Sequence, residues 1–168
     1  MVIIDSLRAS DIEKMAAAFV AQHWASRKAV LWQYLKEQDH GLRQVFVARA
    51  PDGDPLGYVT LCPQAANGPF RETGYPEVVD FNVFMPYQHQ GIGTQLLAAA
   101  ETAAAELAPV VTLGVGLHAG YGPAQRLYIR RGYVPDGSGV WYQDQPLPEG
   151  AVCRNDDDLV LYMAKNLG

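Results

Sequence analysis

A glycine-bearing turn between an apolar strand and a helix constrains this chain more than any other feature. Residues Val78–Phe84 are mostly apolar, and the stretch after the turn is rich in alanine and leucine as far as Pro109. Between them, Gln88–Thr94 reads Q-H-Q-G-I-G-T. Glycines let the backbone turn tightly and approach a ligand closely, and the free N–H groups at the start of a helix favour anions. The sequence therefore predicts a phosphate-binding turn that begins a helix.

Two common phosphate-binding motifs do not fit this turn. A nucleotide P-loop needs Gly-Lys-Ser/Thr, whereas Gly93 is followed by Thr94 and Gln95. A dinucleotide-binding fingerprint needs a third glycine, and Leu96 stands in its place. A strand-to-helix turn that binds no ligand is a further alternative as long as this segment is considered by itself.

A second segment, Ala124–Tyr133 (A-Q-R-L-Y-I-R-R-G-Y), follows another apolar strand. Together the two segments resemble the GNAT superfamily of N-acetyltransferases, whose signatures are Q/R-x-x-G-x-G/A and A-x-x-L-Y-x-x-x-G-F/Y. Gln88, Gly91 and Gly93 match every fixed position of the first signature. Both signatures occur in the order and at the separation typical of the family, and the close resemblance runs from Val78 to Tyr133.

The rest of the chain fits the layout of this superfamily in its order of elements. Apolar patterns predict strand–helix–helix–strand–strand and then strand–helix–strand–helix–strand–strand, without internal repeats or a linker. Ser10 and Glu13 have the spacing of a capping box at the first helix. The resemblance implies one α/β domain over residues 1–168, with a mixed, mostly antiparallel sheet flanked by helices. Its two central parallel strands, at 78–84 and 110–115, are expected to splay apart in a V.

The resemblance also implies that the chain uses acetyl-CoA as its cosubstrate. The pyrophosphate would lie on the glycine turn, and the pantetheine arm would pair with the end of the preceding strand like an added strand. Many relatives have Asn where Tyr121 stands, so one expected pantetheine contact differs here. The residues expected to bind acetyl-CoA are Val83, Phe84, Met85, Gln88, His89, Gln90, Gly91, Ile92, Gly93 and Thr94.

In this family an amine attacks the thioester directly, and Tyr128 matches the general acid that protonates the departing thiolate. Alternatively, Tyr128 is only a core aromatic of an amphipathic helix. The candidate bases are Asp80 and Glu77, because an alkylamine must lose a proton, which costs about 4–5 kcal/mol at pH 7. Strand alternation places Asp80 on the same face as Asn82 and Glu77 on the other. Asp80 is alternatively an internally hydrogen-bonded residue of the sheet.

The acceptor is expected to be the primary amine of a small, cationic molecule. The chain has 13 basic and 18 acidic residues, a net charge of -5, which mildly favours cationic partners. Trp24 and Trp32 fall in the helices that cover the acceptor pocket in this family, and aromatic faces suit cations. His118, just after a strand, is a third candidate for substrate contact. The alternatives are acetylation of a protein N-terminus or lysine, and a non-catalytic acyl-CoA-binding regulatory module.

Charge and residue pattern argue against several other classes of protein. The acidic balance disfavours a nucleic-acid partner, which needs clustered Lys and Arg. No apolar run is long enough to span a bilayer, and no secretory signal is visible, so we expect a cytoplasmic location and no membrane partner. The four histidines lack metal-binding spacing, and Cys62 and Cys153 stand far apart, so no metal is expected. A homodimer is possible.

Overall fold

The computed structural model describes all residues from 1 to 168. Its strands and helices follow one another in the predicted order, with one additional short strand. Single turns of 3-10 helix lie at Gly68–Phe70, Met85–Tyr87 and Ala119–Tyr121. The elements are β1 (Ile3–Ser6), α1 (Ala9–Ala21), α2 (Lys28–Asp39), β2 (Gln44–Arg49), β3 (Pro55–Cys62), β4 (Glu77–Val83), α3 (Ile92–Ala105), β5 (Val110–Gly116), α4 (Gly122–Arg130), β6 (Val134–Tyr142), β7 (Gln145–Pro146) and β8 (Leu159–Asn166).

The eight strands have the order β1-β2-β3-β4-β5-β8-β6-β7. Most of the pairs are antiparallel, and β4 pairs with β5 in parallel. This mixed sheet flanked by helices confirms the predicted α/β fold class. The contacts within the chain divide it into two compact units, 1–62 with 79–103 and 63–78 with 104–168. The single domain over 1–168 stays a prediction.

The first unit contains β1, β2, β3, most of β4, helices α1 and α2, and most of α3. Strand β2 pairs with β1 on one side and with β3 on the other. The spacing of apolar residues in α1 predicts one buried stripe of Ile12, Met15, Ala16, Phe19 and Val20, and all of these except Val20 are buried. The buried residues that form this core are Leu7, Ile12, Met15, Phe19, Leu31, Val45, Val47, Tyr58 and Phe84.

The start of α1 differs from the prediction, and the capping box of Ser10 and Glu13 is wrong. The Asp11 carboxylate accepts the backbone N–H of Arg8 at 2.7 Å. The same carboxylate forms a buried ion pair with the guanidinium of Arg49 in β2. Because this pair fixes Asp11 in the third helical position, the helix begins at Ala9 rather than after Ser10.

The second unit contains β5 to β8, helix α4 and the first two residues of β4. Glu77 pairs with Thr112 and Val78 with Leu113, and the parallel ladder ends there. The apolar pattern predicts this strand only over Val140–Tyr142, whereas β6 begins at Val134 and includes the turn-forming residues before Val140. An irregularity between Pro135 and Val140 accommodates those residues within the β6–β8 ladder. None of the helices is both long and apolar enough to cross a bilayer.

Candidate active site

The predicted phosphate turn is open to solvent at the start of α3. Its backbone adopts left-handed conformations at His89 (φ 62°) and Gly91 (φ 79°). A Cβ atom on Gly91 would meet nothing within 4 Å, so space for a ligand remains above this backbone. Ile92 is buried and anchors the helix, whereas Thr94 is exposed. The first N–H groups of an α-helix have no intrahelical acceptor, so the turn suits a pyrophosphate.

Two glutamine side chains hold this turn against the chain that precedes it. The Nε2 atom of Gln88 donates to the carbonyl oxygen of Val83 at 2.9 Å. The Nε2 atom of Gln90 donates to the carbonyl oxygen of Pro86 at 3.3 Å. The fixed Gln of the first signature therefore shapes the backbone of the turn in this chain.

Two backbone N–H groups at the end of β4, where the pantetheine arm is predicted to pair, already have hydrogen-bond acceptors within the chain. The N–H of Phe84 donates to Leu56 at 3.0 Å, and the N–H of Met85 donates to Oε1 of Gln22 at 2.5 Å. The Phe84 ring is buried against Phe19, with ring centroids 5.2 Å apart. Pairing of the pantetheine arm with 83–85 stays a prediction, and it would require Gln22 to release Met85. A cavity of about 280 Å³ lies beside this segment, lined by Ala18, Ala21, Gln22 and residues 84–87.

Asp80 lies at the centre of a hydrogen-bonded cluster within the first unit. Its backbone is left-handed (φ 56°), which interrupts the regular geometry of β4. Arg27 donates to both carboxylate oxygens, at 3.0 and 2.6 Å. Tyr34 and Tyr58 donate to Oδ2 at 2.9 and 2.8 Å, and Asn82 donates to Oδ1 at 3.0 Å. The last contact confirms that Asp80 and Asn82 share one side of the strand.

The surroundings of this cluster keep its two phenols protonated. Burial, and next the charge of Asp80, raise the pKa of Tyr34 to about 12. The same two causes raise the pKa of Tyr58 well above its ordinary value. Burial by itself would lower the pKa of Arg27, but its hydrogen bond to Asp80 and the neighbouring charges raise it overall. The cluster therefore consists of neutral donors and one balanced ion pair at physiological pH.

The two tryptophans expected near the acceptor are both on the surface. Trp24 lies after the end of α1 at Ala21, so its predicted place in a helix is wrong; it is 51% exposed and stacks on Phe19, with ring centroids 6.0 Å apart. Trp32 in α2 is 45% exposed. Contact of either residue with an acceptor stays a prediction.

Tyr128 in α4 points into the second unit and is 6% exposed. Its ring centroid lies 5.7 Å from that of Tyr133. Burial, and next the neighbouring Tyr121, raise the pKa of Tyr128 above its ordinary value. The phenol is therefore protonated at physiological pH, as a proton donor must be. The flanking Ile129 is exposed, which settles the direction in which this part of the helix faces.

The other predicted residues of the second unit lie at the ends of β4 and β5. Glu77 is buried as the first residue of β4. His118 contacts Asp157, with 2.9 Å between Nε2 and Oδ1, and Tyr121 donates to the same oxygen at 3.0 Å. These hydrogen bonds lower the pKa of Asp157, that from His118 most. Asp157 belongs to an acidic run that reads as a solvated turn, so the sequence gives no sign of this contact.

Sequence reasoning also missed Arg27, which stands in a polar stretch between two helices and belongs to no motif. Tyr58 carries no signal beyond a strand pattern, since aromatic residues are common in strands. No group of three or more His, Cys, Asp or Glu side chains is arranged to hold a metal ion.

The glycine turn and Tyr128 both lie within a segment that matches a known protein family. The model of the acetyltransferase (GNAT) family matches residues 10–133. A search of curated protein sequences gives no match. Among solved structures, a GNAT-family protein from Desulfovibrio desulfuricans is 16% identical with a TM-score of 0.74, and the match covers 100% of both chains.

Two further solved structures carry names that state an acceptor. A spermidine N-acetyltransferase SpeG chimera from Vibrio cholerae and hSSAT is 15% identical over 99% of this chain and 95% of its own, with a TM-score of 0.68. An aminoglycoside 6'-N-acetyltransferase in complex with coenzyme A is 16% identical over 98% and 97%, with a TM-score of 0.66. At these identities the likeness shows the fold, whereas the family model spans both the glycine turn and Tyr128. The chain therefore belongs to the GNAT family of acetyltransferases.

Proposed function

We propose that this enzyme transfers the acetyl group of acetyl-CoA directly to the primary amine of a small molecule. The observation that carries the proposal is the open turn at the start of α3, left-handed at Gly91 and clear of obstructing atoms, within a matched GNAT domain. Acetyl-CoA is the donor in this family, and a structural neighbour was solved in complex with coenzyme A. The neighbours named for spermidine and aminoglycosides support small amines as the acceptor class.

The transfer needs a proton donor and a proton acceptor. The amine nitrogen forms a bond to the acetyl carbon while the carbon–sulfur bond breaks, so the departing thiolate takes up a proton and the amine gives one up. We assign the donor role to Tyr128, since burial keeps its phenol protonated. A raised pKa also weakens a phenol as an acid, so the role requires close positioning against the sulfur.

For the proton of the amine, Glu77 or water is a better acceptor than Asp80. The Asp80 carboxylate already accepts five hydrogen bonds, two from Arg27 and one each from Tyr34, Tyr58 and Asn82. A carboxylate offers about four lone-pair sites, so none is left for the amine without breaking an existing contact. Glu77, directly or through water, therefore stays the proposed base.

We further propose that the acceptor is a cation, on the support of the net charge of -5 and of the names of the neighbours. Asp80 attracts a cationic acceptor less than the sequence suggests, because Arg27, with its Nη2 atom 2.6 Å from Oδ2 of Asp80, balances the charge of this carboxylate. For a steered cation, kcat/KM should fall as salt rises from low to physiological concentration.

The test is a thiol-release assay with acetyl-CoA against polyamines, aminoglycosides, amino acids and peptides, together with calorimetry of acetyl-CoA binding. Gly91→Glu should abolish binding, because the new carboxylate occupies the turn and repels the phosphates. Gly150→Glu is the matched control, since both glycines have φ 79° and open space at Cβ. Equal affinity of the two variants refutes the assignment of the turn. If peptides are the best acceptors, acetylation of a protein N-terminus or lysine replaces the proposed function. If acetyl-CoA binds but no amine is acetylated, a non-catalytic acyl-CoA-binding module replaces it.

A further inference from the structure

Two of the non-glycine residues with a left-handed backbone form an ion pair with each other. Arg27 precedes α2 and Asp80 lies in β4, and each has φ 56°. Such conformations are unfavourable for residues with a Cβ and persist where the surroundings enforce them. The surroundings here include a bidentate ion pair between these same two residues, with side chains 26% and 13% exposed.

The guanidinium of Arg27 is itself fixed on more than one side. Its Nη1 atom also donates to the hydroxyl of Tyr58 at 2.6 Å, and its Cζ lies 5.4 Å from the ring centroid of Phe19. The planar fork of arginine matches a carboxylate in a single relative orientation. Arg27 can therefore fix both the position and the rotation of the Asp80 side chain.

The residue before Asp80 is held by a second set of contacts. The Oγ1 atom of Thr60 donates to the carbonyl oxygen of Val79 at 2.5 Å and accepts from Nη1 of Arg43 at 2.7 Å. Arg43 pairs with Glu37 in α2 at 2.6 Å. Val79 and Asp80 form the irregular step in β4. Asp80 is thus held directly by Arg27, which precedes α2, and Val79 is held through Thr60 by Arg43, which follows α2.

We propose that Arg27 is a positioning residue that holds the left-handed backbone of β4 through Asp80, and that the Asp80 carboxylate is an anchor rather than the general base. This inference rests on the proposed acetyl transfer, because it concerns the strand whose end is assigned to acetyl-CoA. Glycine adopts a left-handed conformation without the cost that a Cβ brings, so it can replace the anchor. A general base has no such substitute.

The experiment compares Arg27→Met, Asp80→Asn and the double variant Arg27→Met with Asp80→Gly. Arg27→Met keeps the length of the side chain and should lower kcat by about tenfold or more. Asp80→Asn should lower kcat by less than about tenfold and leave the shape of the pH profile in place, because asparagine tolerates this backbone and still accepts from Arg27. Adding Asp80→Gly to Arg27→Met should restore about tenfold in kcat. Arg8→Met, which removes an exposed arginine paired with Asp5, is the control.

Two results would overturn the inference. One is a loss of about a hundredfold or more in Asp80→Asn with the acidic limb of the pH profile gone, as expected for a base, which is active only when deprotonated. The other is a double variant no more active than Arg27→Met. If the wild type acetylates no amine, the proposed function fails, and thermal unfolding then decides the positioning role. The double variant should unfold at a higher temperature than Arg27→Met, and an equal or lower temperature refutes that role.

Discussion

Gly57 in β3 lies directly against the backbone of β4, and we expect Gly57→Ala to push the two strands apart. A Cβ atom on Gly57 would lie 2.6 Å from the carbonyl oxygen of Asn82 and 2.9 Å from Cα of Val83. Close carbon–oxygen contacts between strands ordinarily measure about 3.3–3.6 Å. The strands must therefore separate by about 0.7 Å or more. Both obstructing atoms belong to the backbone, so no side-chain rotation relieves the contact.

The size of the effect follows from this displacement. Extra methylenes in a packed interior cost about 1–3 kcal/mol, and each kcal/mol lowers Tm by about 2–4 °C in a chain of this length. The expected loss in Tm is therefore about 2–12 °C. Asn82 donates to Asp80 at 3.0 Å, so the shift also reaches the cluster in β4. Because a misplacement of about 1 Å can cost a hundredfold in rate, kcat/KM should fall about tenfold or more.

Differential scanning calorimetry and the thiol-release assay measure the two effects. Gly122→Ala is the matched stability control, because Gly122 has φ -52° and a Cβ atom added there would meet nothing within 4 Å. Its Tm should stay constant or rise, since alanine favours a helix. If Gly57→Ala is as stable as Gly122→Ala, the close approach of β3 and β4 is wrong.

Two further predictions concern buried side chains. Tyr128→Phe should lower kcat by about a hundredfold while the acetyl-CoA affinity stays nearly constant; an unchanged kcat at saturation would reject the proton-donor role. Burial, and next Tyr121, raise the pKa of Tyr128. The folded protein therefore keeps the proton of this phenol below about pH 10, and the stability that the neutral phenol contributes to the fold is fully present over the same range. Accordingly, the wild-type rate should show no loss from this group between neutral pH and about pH 10. Asp11→Ala leaves the buried cation of Arg49 without its partner, and urea unfolding should show a loss of about 3–5 kcal/mol. A loss below about 1 kcal/mol would mean that water or another group compensates the charge.

Local chemistry explains which parts of the fold the sequence predicts well. Helix α4 begins at Gly122-Pro123 and stops before Gly132, which has φ 93°, because proline suits the first turn and glycine suits the left-handed position after the last. The turn at Gly91 is similarly marked by its own residues. Strand β6 was harder to predict, since Gly137 and Gly139 read as a loop although the flanking residues pair with β8.

The contacts around Asp80 could be predicted only in part. Strand alternation places it beside Asn82, and the alternative of an internally hydrogen-bonded residue agrees with the observed contacts. Its partner Arg27 is 53 residues away in the chain, and no pattern of spacing connects the two. The left-handed backbone at Asp80 was also invisible, because the strand pattern of residues 77–83 reads as regular.

That separation of 53 residues also bears on the order in which the first unit folds. Contacts within α1 and within α2 are local and require little loop closure, whereas the ion pair between Arg27 and Asp80 closes a long segment, which costs entropy. The helices can therefore form before β4 acquires its irregular step. Arg27 then contributes mainly to how slowly the finished structure opens, and little to how fast the chain first collapses.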